Sequence, residues 1–273
     1  MNIRLQIFLC LAVLIANFVL IANFALMAQT SSSTPAPTPT PTVAIDSAEL
    51  SKLRADLSWA HKVLADWPDL ARYHEENARM AAPTVNESRV VFMGDSITDG
   101  WGRQYGSFFP GKPYVNRGIS GQTTPQMLIR FRPDVIALKP KVVVILAGTN
   151  DIAGNTGPMT LKQIEDNFVS MAELARANGI RVVLSSVMPV SDDFQMWTDC
   201  RPPSKIVELN SWLKTYATKN SLVYLDYYSA MIDDRKMLKR ELTYDGLHPN
   251  TAGYEVMGPL AEKAIALTLR KDQ

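Results

Sequence analysis

A serine, an aspartate and a histidine occupy sequence contexts that suit nucleophilic catalysis. Ser96 follows an apolar run within Gly-Asp-Ser-Ile-Thr, and Asp245 precedes His248 by three residues. A carboxylate that holds one imidazole nitrogen leaves the other nitrogen free to take a proton from a serine hydroxyl. These residue types are suited to acyl transfer through a covalent intermediate.

Each of these residues also has a simpler interpretation. Ser96, or its neighbour Asp95, is able to cap a helix as in any strand-to-helix turn. His248 taken alone is interpreted as a solvated loop side chain. The catalytic interpretation therefore depends on whether further suitable groups lie nearby.

Two other segments offer hydrogen-bond donors. Gly121 lies in Gly-Ile-Ser-Gly-Gln-Thr-Thr, and Asn150 lies in Ala-Gly-Thr-Asn-Asp. Glycine lets the backbone approach a ligand closely, and a side-chain amide donates a neutral hydrogen bond to a developing oxyanion. Alternatively, Gly121 is a turn residue and Asn150 caps a loop.

The elements that would position these residues follow an alternating pattern. Short β-branched runs alternate with helical periodicity from residue 89 onward, which predicts a parallel sheet covered by helices on both faces. In such sheets, ligands bind beyond the carboxyl ends of the strands, where Ser96, Gly121 and Asn150 are expected. The predicted strands cover residues 89–93, 114–116, 142–146, 181–187 and 222–226, and the predicted helices cover residues 126–136, 161–178, 205–220 and 252–269.

Taken together, the four segments resemble the GDSL/SGNH hydrolase family, whose four named residues are serine, glycine, asparagine and histidine in separate blocks. The resemblance covers roughly residues 89–267, with the blocks in the family's order, and departs from it in having isoleucine where the family name has leucine. It implies a three-layer αβα sandwich with a five-stranded parallel, flavodoxin-like sheet, and neither cofactor nor metal. The blocks are GDSIT at Ser96, GISGQTT at Gly121, AGTND at Asn150 and DGLHPN at Asp245 and His248.

The resemblance also implies a role for each residue. Ser96 is expected to be the nucleophile, His248 the general base and Asp245 the residue that orients the base. The oxyanion is expected between the backbone N–H groups of Ser96 and Gly121 and the side chain of Asn150. The implied reaction is hydrolysis of a carboxylic ester through an acyl-enzyme.

The substrate is less sharply indicated. Similar exported proteins include esterases that remove short acyl groups from carbohydrates, and also lysophospholipases, arylesterases and thioesterases. We expect short acyl groups such as acetyl, because the segments between the blocks are short and leave no apolar insertion for a long chain. A non-catalytic binding module on the same fold is the alternative of a different class. The segment 188–203, with Phe194, Trp197 and Arg201, is either a substrate-contacting rim or a surface loop.

The amino-acid composition restricts the classes of binding partner that we expect. Lysine and arginine total 28 against 27 acidic residues, so charge gives no general reason to bind nucleic acid or an anionic membrane. Only three histidines are present, which disfavours a two-metal site, and no phosphate-cradling glycine motif occurs. The expected partner is a small-molecule or carbohydrate ester, membrane contact is expected only through an uncleaved N-terminal anchor, and no oligomeric state is indicated.

The chain is predicted to have four regions. Residues 1–28 form a signal peptide or a membrane anchor, since Arg4 precedes a long apolar stretch, and the protein is therefore expected to be exported to the periplasm or secreted. Residues 29–45 are a Ser/Thr/Pro-rich linker. Residues 46–88 are a helical segment packed on the core through leucines spaced by three or four, and residues 89–270 are the catalytic domain.

Overall fold

The computed structural model describes residues 46–270. The predicted signal peptide or anchor at residues 1–28 and the linker at residues 29–45 lie outside the described residues and stay predictions. Residues 54–270 belong to one compact unit. Helix α1 (Ser47–Ala65) begins before this unit and ends within it. Within residues 46–270, no helix is both long and apolar enough to span a bilayer.

Residues 54–270 are built on a five-stranded parallel sheet in the order β2-β1-β3-β4-β5. Gly94 of the first strand is paired with Gly118 and Leu146 of its two neighbours, so three strands end at the same level. The predicted fold class is confirmed. The strands are β1 (Val90–Gly94), β2 (Tyr114–Gly118), β3 (Val142–Leu146), β4 (Arg181–Ser185) and β5 (Val223–Leu225).

Four longer helices follow the predicted periodicity, and two of them begin two residues earlier than predicted. One begins at Thr124 because Pro125 suits its first turn and the Gln126 side chain accepts the Thr123 N–H at 3.0 Å. The other begins at Pro203, again a favoured first helical residue. The helices after α1 are α2 (His74–Arg79), α3 (Ser96–Gly100), α4 (Thr124–Asp134), α5 (Thr149–Ile152), α6 (Leu161–Ala177), α7 (Pro203–Lys219), α8 (Tyr228–Met231) and α9 (Thr251–Arg270), with short 3₁₀ turns at Leu70–Tyr73, Ile136–Leu138 and Arg240–Leu242.

The sheet is buried on both faces, as expected for parallel strands. Val91 and Met93 belong to the core that α4, α6 and α7 cover, whereas Val90 and Phe92 belong to the core on the opposite face with α3 and α9. Alternate residues of one strand therefore enter two separate cores. The result is the expected three-layer αβα sandwich.

The helical segment before β1 differs in part from the expectation of a core-packed leucine stripe. Leu57 and Leu64 of α1 are 57% and 80% exposed. By contrast, Tyr73 is buried and its hydroxyl donates to the Gly118 carbonyl at the end of β2. A leucine spacing of three or four predicts a helix, but it does not specify which surface covers the stripe.

Candidate active site

The structure brings Ser96, His248 and Asp245 together, although Ser96 and His248 are 152 positions apart. His248 Nε2 lies 2.9 Å from Ser96 Oγ, and His248 Nδ1 lies 2.7 Å from Asp245 Oδ2. A carboxylate only accepts hydrogen bonds, so the proton of the neutral imidazole is on Nδ1. Nε2 is then unprotonated and accepts the hydrogen bond from the Ser96 hydroxyl. The arrangement can therefore pass the serine proton to the imidazole.

The acid and the base share one tight turn. Asp245 Oδ1 accepts the backbone N–H groups of Leu247 and His248 at 2.9 and 2.8 Å. Gly246 has φ of 90°, and a Cβ there would meet the Ser191 carbonyl oxygen at 2.3 Å, so the position requires glycine. Burial raises the pKa of Asp245, but the hydrogen bonds from His248 and Leu247 outweigh burial and hold that pKa below its usual value. The ionised form of Asp245 is thereby favoured beside the imidazole.

Two aromatic side chains support this turn. The Trp197 indole N–H donates to the Asp245 carbonyl at 2.7 Å. The Tyr244 ring stacks on the His248 ring with centroids 5.7 Å apart and planes at 12°. Tyr244 was not anticipated from the sequence, although it directly precedes the Asp245 block.

Ser96 is positioned by a sharp strand-to-helix turn. Strand β1 ends at Gly94 and α3 begins at Ser96, with Asp95 Oδ1 accepting the Ile97 N–H at 3.0 Å. A Cβ at Gly94 would lie 2.1 Å from Thr98 Oγ1 and 2.9 Å from the Leu146 carbonyl oxygen, so only glycine permits the close approach. Ser96 is the first residue of the helix, where backbone N–H groups have no intrahelical acceptor.

The predicted oxyanion donors lie in the same cavity as the serine and histidine. A cavity of about 380 Å³ is lined by Ser96, Gly121, Asn150 and His248. Asn150 Nδ2 donates to the Gln122 carbonyl at 3.0 Å, and Asn150 Oδ1 accepts from Arg201 Nη2 at 3.2 Å. Because a guanidinium only donates, the Asn150 amide must direct its oxygen toward Arg201. The NH₂ group of Asn150 therefore points away from Arg201. One amide hydrogen binds the Gln122 carbonyl, and the NH₂ group has a second one to donate.

The segment 188–203 supplies part of the cavity wall. Trp197 and Arg201 line the cavity, and Arg201 stacks over the Trp197 ring with 4.7 Å to the centroid. Arg201 is only 5% exposed and also donates from Nε to Thr149 Oγ1 at 3.2 Å. Phe194 instead lies under the Arg240 guanidinium and is 45% exposed.

A buried arginine on α4 joins the segments that carry these groups. Arg130 has no exposed surface and donates to the carbonyl oxygens of Gly94 and Arg117 at 3.0 and 2.9 Å. It also donates to the Gln122 side chain and pairs with Asp134 at 3.0 Å. The sequence signal was slight, an arginine four residues before an aspartate within a predicted helix.

Hydrogen bonds to Asp151 connect the glycine block, residues 118–124, with the asparagine block, residues 147–151. Asp151 Oδ1 accepts both the backbone N–H of Thr124, at 2.9 Å, and the Thr124 hydroxyl. Asp151 therefore holds the start of α4 beside α5. Among residues 46–270, no group of three or more histidine, cysteine or acidic side chains is suited to holding a metal ion.

Asp95 is an acid buried directly beside the nucleophile. It is 1% exposed, and its Oδ2 has no hydrogen-bond partner among the described residues. Burial raises the pKa of Asp95 to about 7, with the Ile97 N–H opposing that shift and the Asp151 carboxylate adding to it. Asp95 caps α3, and the free-energy cost of burying its carboxyl group is larger when the group is ionised.

The structure is a three-layer α/β protein in which a serine, a histidine and an aspartate are hydrogen-bonded in series. Residues 92–256, more than half of the chain, match the model of the GDSL-like Lipase/Acylhydrolase family. The chain belongs to this family.

Two solved structures resemble this one along nearly their whole length. A putative acylhydrolase from Bacteroides fragilis is 47% identical with a TM-score of 0.71, and the match covers 75% of this chain and 99% of that one. A GDSL-like lipase from Bacteroides thetaiotaomicron is 45% identical with a TM-score of 0.69, and the match covers 73% of this chain and 98% of that one.

Two relatives with named activities match more distantly. Esterase TesA of Pseudomonas aeruginosa is 31% identical over 117 residues, which are 41% of this chain and 57% of that protein. An acetylxylan esterase of Xylanibacter ruminicola is 24% identical over 219 residues, which are 67% of this chain and 44% of that protein. The chain thus spans about half the length of each of these two relatives.

Replacing Asp95 should change how stability depends on pH. Between about pH 4, where the carboxyl groups of an unfolded chain ionise, and about pH 7, the unfolded chain has lost the Asp95 proton while the folded chain retains it. Rising pH in this window therefore favours unfolding. Asp95→Asn keeps the oxygen that accepts the Ile97 N–H and removes this penalty, so its Tm relative to wild type should rise by roughly 3–8 °C between pH 5 and pH 8. A Tm difference that stays the same at both pH values would contradict the buried-acid assignment.

Proposed function

We propose that this protein is a carboxylic ester hydrolase in which Ser96 is the nucleophile, His248 the general base and Asp245 the residue that orients the base. One observation carries the proposal: an unbroken series of hydrogen bonds joins Asp245, His248 and Ser96 at the carboxyl ends of the parallel strands. Membership of an acylhydrolase family and similarity to a named esterase support it.

In the first step, Ser96 Oγ attacks the ester carbonyl carbon while His248 Nε2 takes the hydroxyl proton. The carbonyl π electrons move to oxygen, and a tetrahedral oxyanion forms. Asp245 stabilises the imidazolium through Nδ1–H, and its lowered pKa keeps it negative for this purpose. The imidazolium then protonates the leaving alcohol as the ester C–O bond breaks, which leaves an acyl-serine.

In the proposed mechanism, three hydrogen-bond donors stabilise the oxyanion. These donors are the backbone N–H groups of Ser96 and Gly121 and the Asn150 side-chain amide, all at the wall of one cavity. Gly121 has φ of 80°, which a residue with a side chain rarely adopts, so glycine allows the backbone to turn there.

The second step reverses the roles. His248 Nε2 takes a proton from water, the resulting nucleophile attacks the acyl-serine, and the serine oxygen leaves with a proton from His248. The products are a carboxylic acid and the free enzyme. The atoms balance without any cofactor.

For the substrate, we propose short acyl groups, such as acetyl, on carbohydrates. The cavity beside Ser96 is small, about 380 Å³, and Gln104, Ser120, Asn150 and Asn155 make part of its wall polar. An acetylxylan esterase among the relatives agrees with this preference. A lysophospholipase or a thioesterase of the same family is the alternative that the acyl-length experiment below distinguishes.

The nucleophile is tested by Ser96→Ala. Loss of the hydroxyl should abolish p-nitrophenyl acetate hydrolysis and labelling by a fluorophosphonate, because the Ser96 hydroxyl forms the acyl-enzyme and is the one hydrogen-bonded to His248 Nε2. The far-UV spectrum and Tm should stay near those of wild type, and Ser170→Ala on α6 serves as the matched control. Residual wild-type turnover in Ser96→Ala would refute the mechanism, and failure of wild type to hydrolyse or label would favour a non-catalytic binding module.

The oxyanion donor is tested by Asn150→Ala. We expect kcat to fall by about 10²- to 10³-fold with little change in KM, because the donor acts mainly on the transition state. Asn178→Ala, an exposed asparagine at the end of α6, is the control for the same substitution elsewhere. A change in KM alone would reassign Asn150 to substrate binding.

Acyl length is tested with p-nitrophenyl acetate, butyrate, octanoate and palmitate as monomeric substrates. Each methylene that enters an apolar channel contributes about 0.8 kcal/mol, so an enzyme with a deep acyl channel improves steadily with length. We expect kcat/KM to be greatest for acetate or butyrate. A maximum at octanoate or beyond would instead support the lipase or lysophospholipase alternative.

A further inference from the structure

A second cavity adjoins the one that holds Ser96. It has a volume of about 550 Å³, and Ser120, Gly121 and Asn155 line both cavities. The two cavities are therefore neighbours that share the wall formed by these residues. Both volumes lie within the range of roughly 300–1,000 Å³ that is usual for small-molecule sites.

Two tryptophan side chains line the second cavity, which we call the tryptophan cleft. Trp59 on α1 is 69% exposed, and Trp67, which follows α1, is 37% exposed. Indole rings are largely apolar, and leaving two of them in water beside a cavity has no evident benefit to folding. Exposed aromatic surface that lines a cavity is typical of a binding site.

The cleft wall is held in place by hydrogen bonds. The Trp67 and Pro68 carbonyl oxygens accept from the side chains of Gln126 and Gln122, both at 2.6 Å. The Asp66 carboxylate accepts the N–H groups of Leu70 and Ala71 at 2.8 and 2.9 Å. A wall that is already ordered loses little conformational entropy when a ligand binds.

The backbone at the cleft also contains an unfavourable conformation. Asp69 has φ of 54° and ψ of 51°, in the left-handed region that residues with side chains seldom adopt. Aspartate adopts this region more readily than most residues with a side chain, and neighbouring hydrogen bonds fix the conformation here. Here the neighbouring Pro68 carbonyl is held by Gln122, which belongs to the glycine block of the candidate active site.

The polar groups of the cleft indicate what kind of molecule fits it. Asp66 and Asp69 supply carboxylate oxygens, and Asn155 and Thr156 supply an amide and a hydroxyl. Carboxylates accept hydrogen bonds from hydroxyl groups and repel anions, so phosphorylated ligands are disfavoured. A long acyl chain would cover the indoles but would leave these polar groups without partners.

A pyranose ring matches both the exposed indole rings and the polar groups of the cleft. Its flat face of C–H groups packs on an indole, and its equatorial hydroxyl groups donate to carboxylates and accept from amides. We propose that the tryptophan cleft binds a sugar unit of an oligosaccharide, next to the unit whose acyl ester lies at Ser96. This inference rests on the proposed esterase function and specifies the alcohol part of its substrate as a glycan of more than one unit.

The test compares three acetyl esters: p-nitrophenyl acetate, O-acetylated xylose and O-acetylated xylotetraose. Wild type should show a higher kcat/KM for the tetraose than for the monosaccharide. Trp59→Ala and Trp67→Ala should each lower kcat/KM for the tetraose by about five- to tenfold, mainly through KM, because an aromatic contact of this kind is lost. Neither variant should alter p-nitrophenyl acetate hydrolysis by more than about twofold, a change of roughly 0.4 kcal/mol.

Two further variants separate binding from folding. Leu64→Ala on α1 removes a side chain that is 80% exposed, and it should behave as wild type on all three esters. Trp67→Phe keeps an aromatic face and should retain most of the tetraose preference. Equal losses on p-nitrophenyl acetate and on the tetraose would show that the tryptophans are only structural and would overturn the inference.

The remaining outcomes distinguish this inference from the proposed function. If wild type hydrolyses p-nitrophenyl acetate but treats the monosaccharide and the tetraose alike, the esterase function stands and the inference fails. The inference also fails if the tryptophan variants lose activity on p-nitrophenyl octanoate rather than on the tetraose, which would assign the cleft to an acyl chain. If wild type hydrolyses none of the esters, the proposed function itself fails.

Discussion

The buried guanidinium of Arg130 is the interaction on which the assembly of the candidate site depends. It reaches the last residue of β1 through the Gly94 carbonyl, the end of β2 through the Arg117 carbonyl, and the glycine block through the Gln122 side chain. Removing a cation from water is costly unless its N–H groups are paired and its charge is balanced. Asp134, one helical turn along α4, supplies the opposite charge.

Because Arg130 needs several acceptors at once, it restrains the segments that provide them. Gln122 is the clearest case, since its side chain binds both Arg130 and the Pro68 carbonyl while its backbone carbonyl accepts the Asn150 amide. The loop that bears Trp67, the glycine block and the asparagine block are therefore linked through one residue. Without a partner, each of these buried polar groups would destabilise the fold.

The sequence predicted those parts of the fold whose signals are local. Strand β3 is the run Val-Val-Val-Ile-Leu, and its burial on both faces follows from that composition. The four blocks were also recognisable from their resemblance to a family, and those at Ser96, Gly121 and Asn150 begin at or directly after the end of a strand. Once the sheet order places those strand ends side by side, Ser96, Gly121 and Asn150 share a cavity.

The rest of the site depends on contacts between distant segments. The sequence does not predict that Arg130 is buried, and it leaves Arg201 on either a substrate-contacting rim or a surface loop. Both are buried because acceptors from other elements converge on them. The leucines of α1 show the opposite case, since their helical spacing is real but Leu57 and Leu64 stay exposed. A pattern within one segment specifies its conformation, whereas burial depends on which other segments pack against it.

The two hydrogen-bonded distances of His248 have different origins, because Asp245 lies in the same turn as His248 whereas Ser96 does not. The separation between the carboxylate and the imidazole is set by a few bonds of one turn, which Gly246 and Thr243 hold shut. The separation between His248 and Ser96 is instead set by the packing of the whole domain across 152 positions of the chain. Fluctuations that loosen the packing of the domain therefore lengthen the distance between His248 and Ser96 more readily than the distance between His248 and Asp245. The contact between serine and histidine thus depends on the tertiary structure, whereas the contact between histidine and aspartate is local.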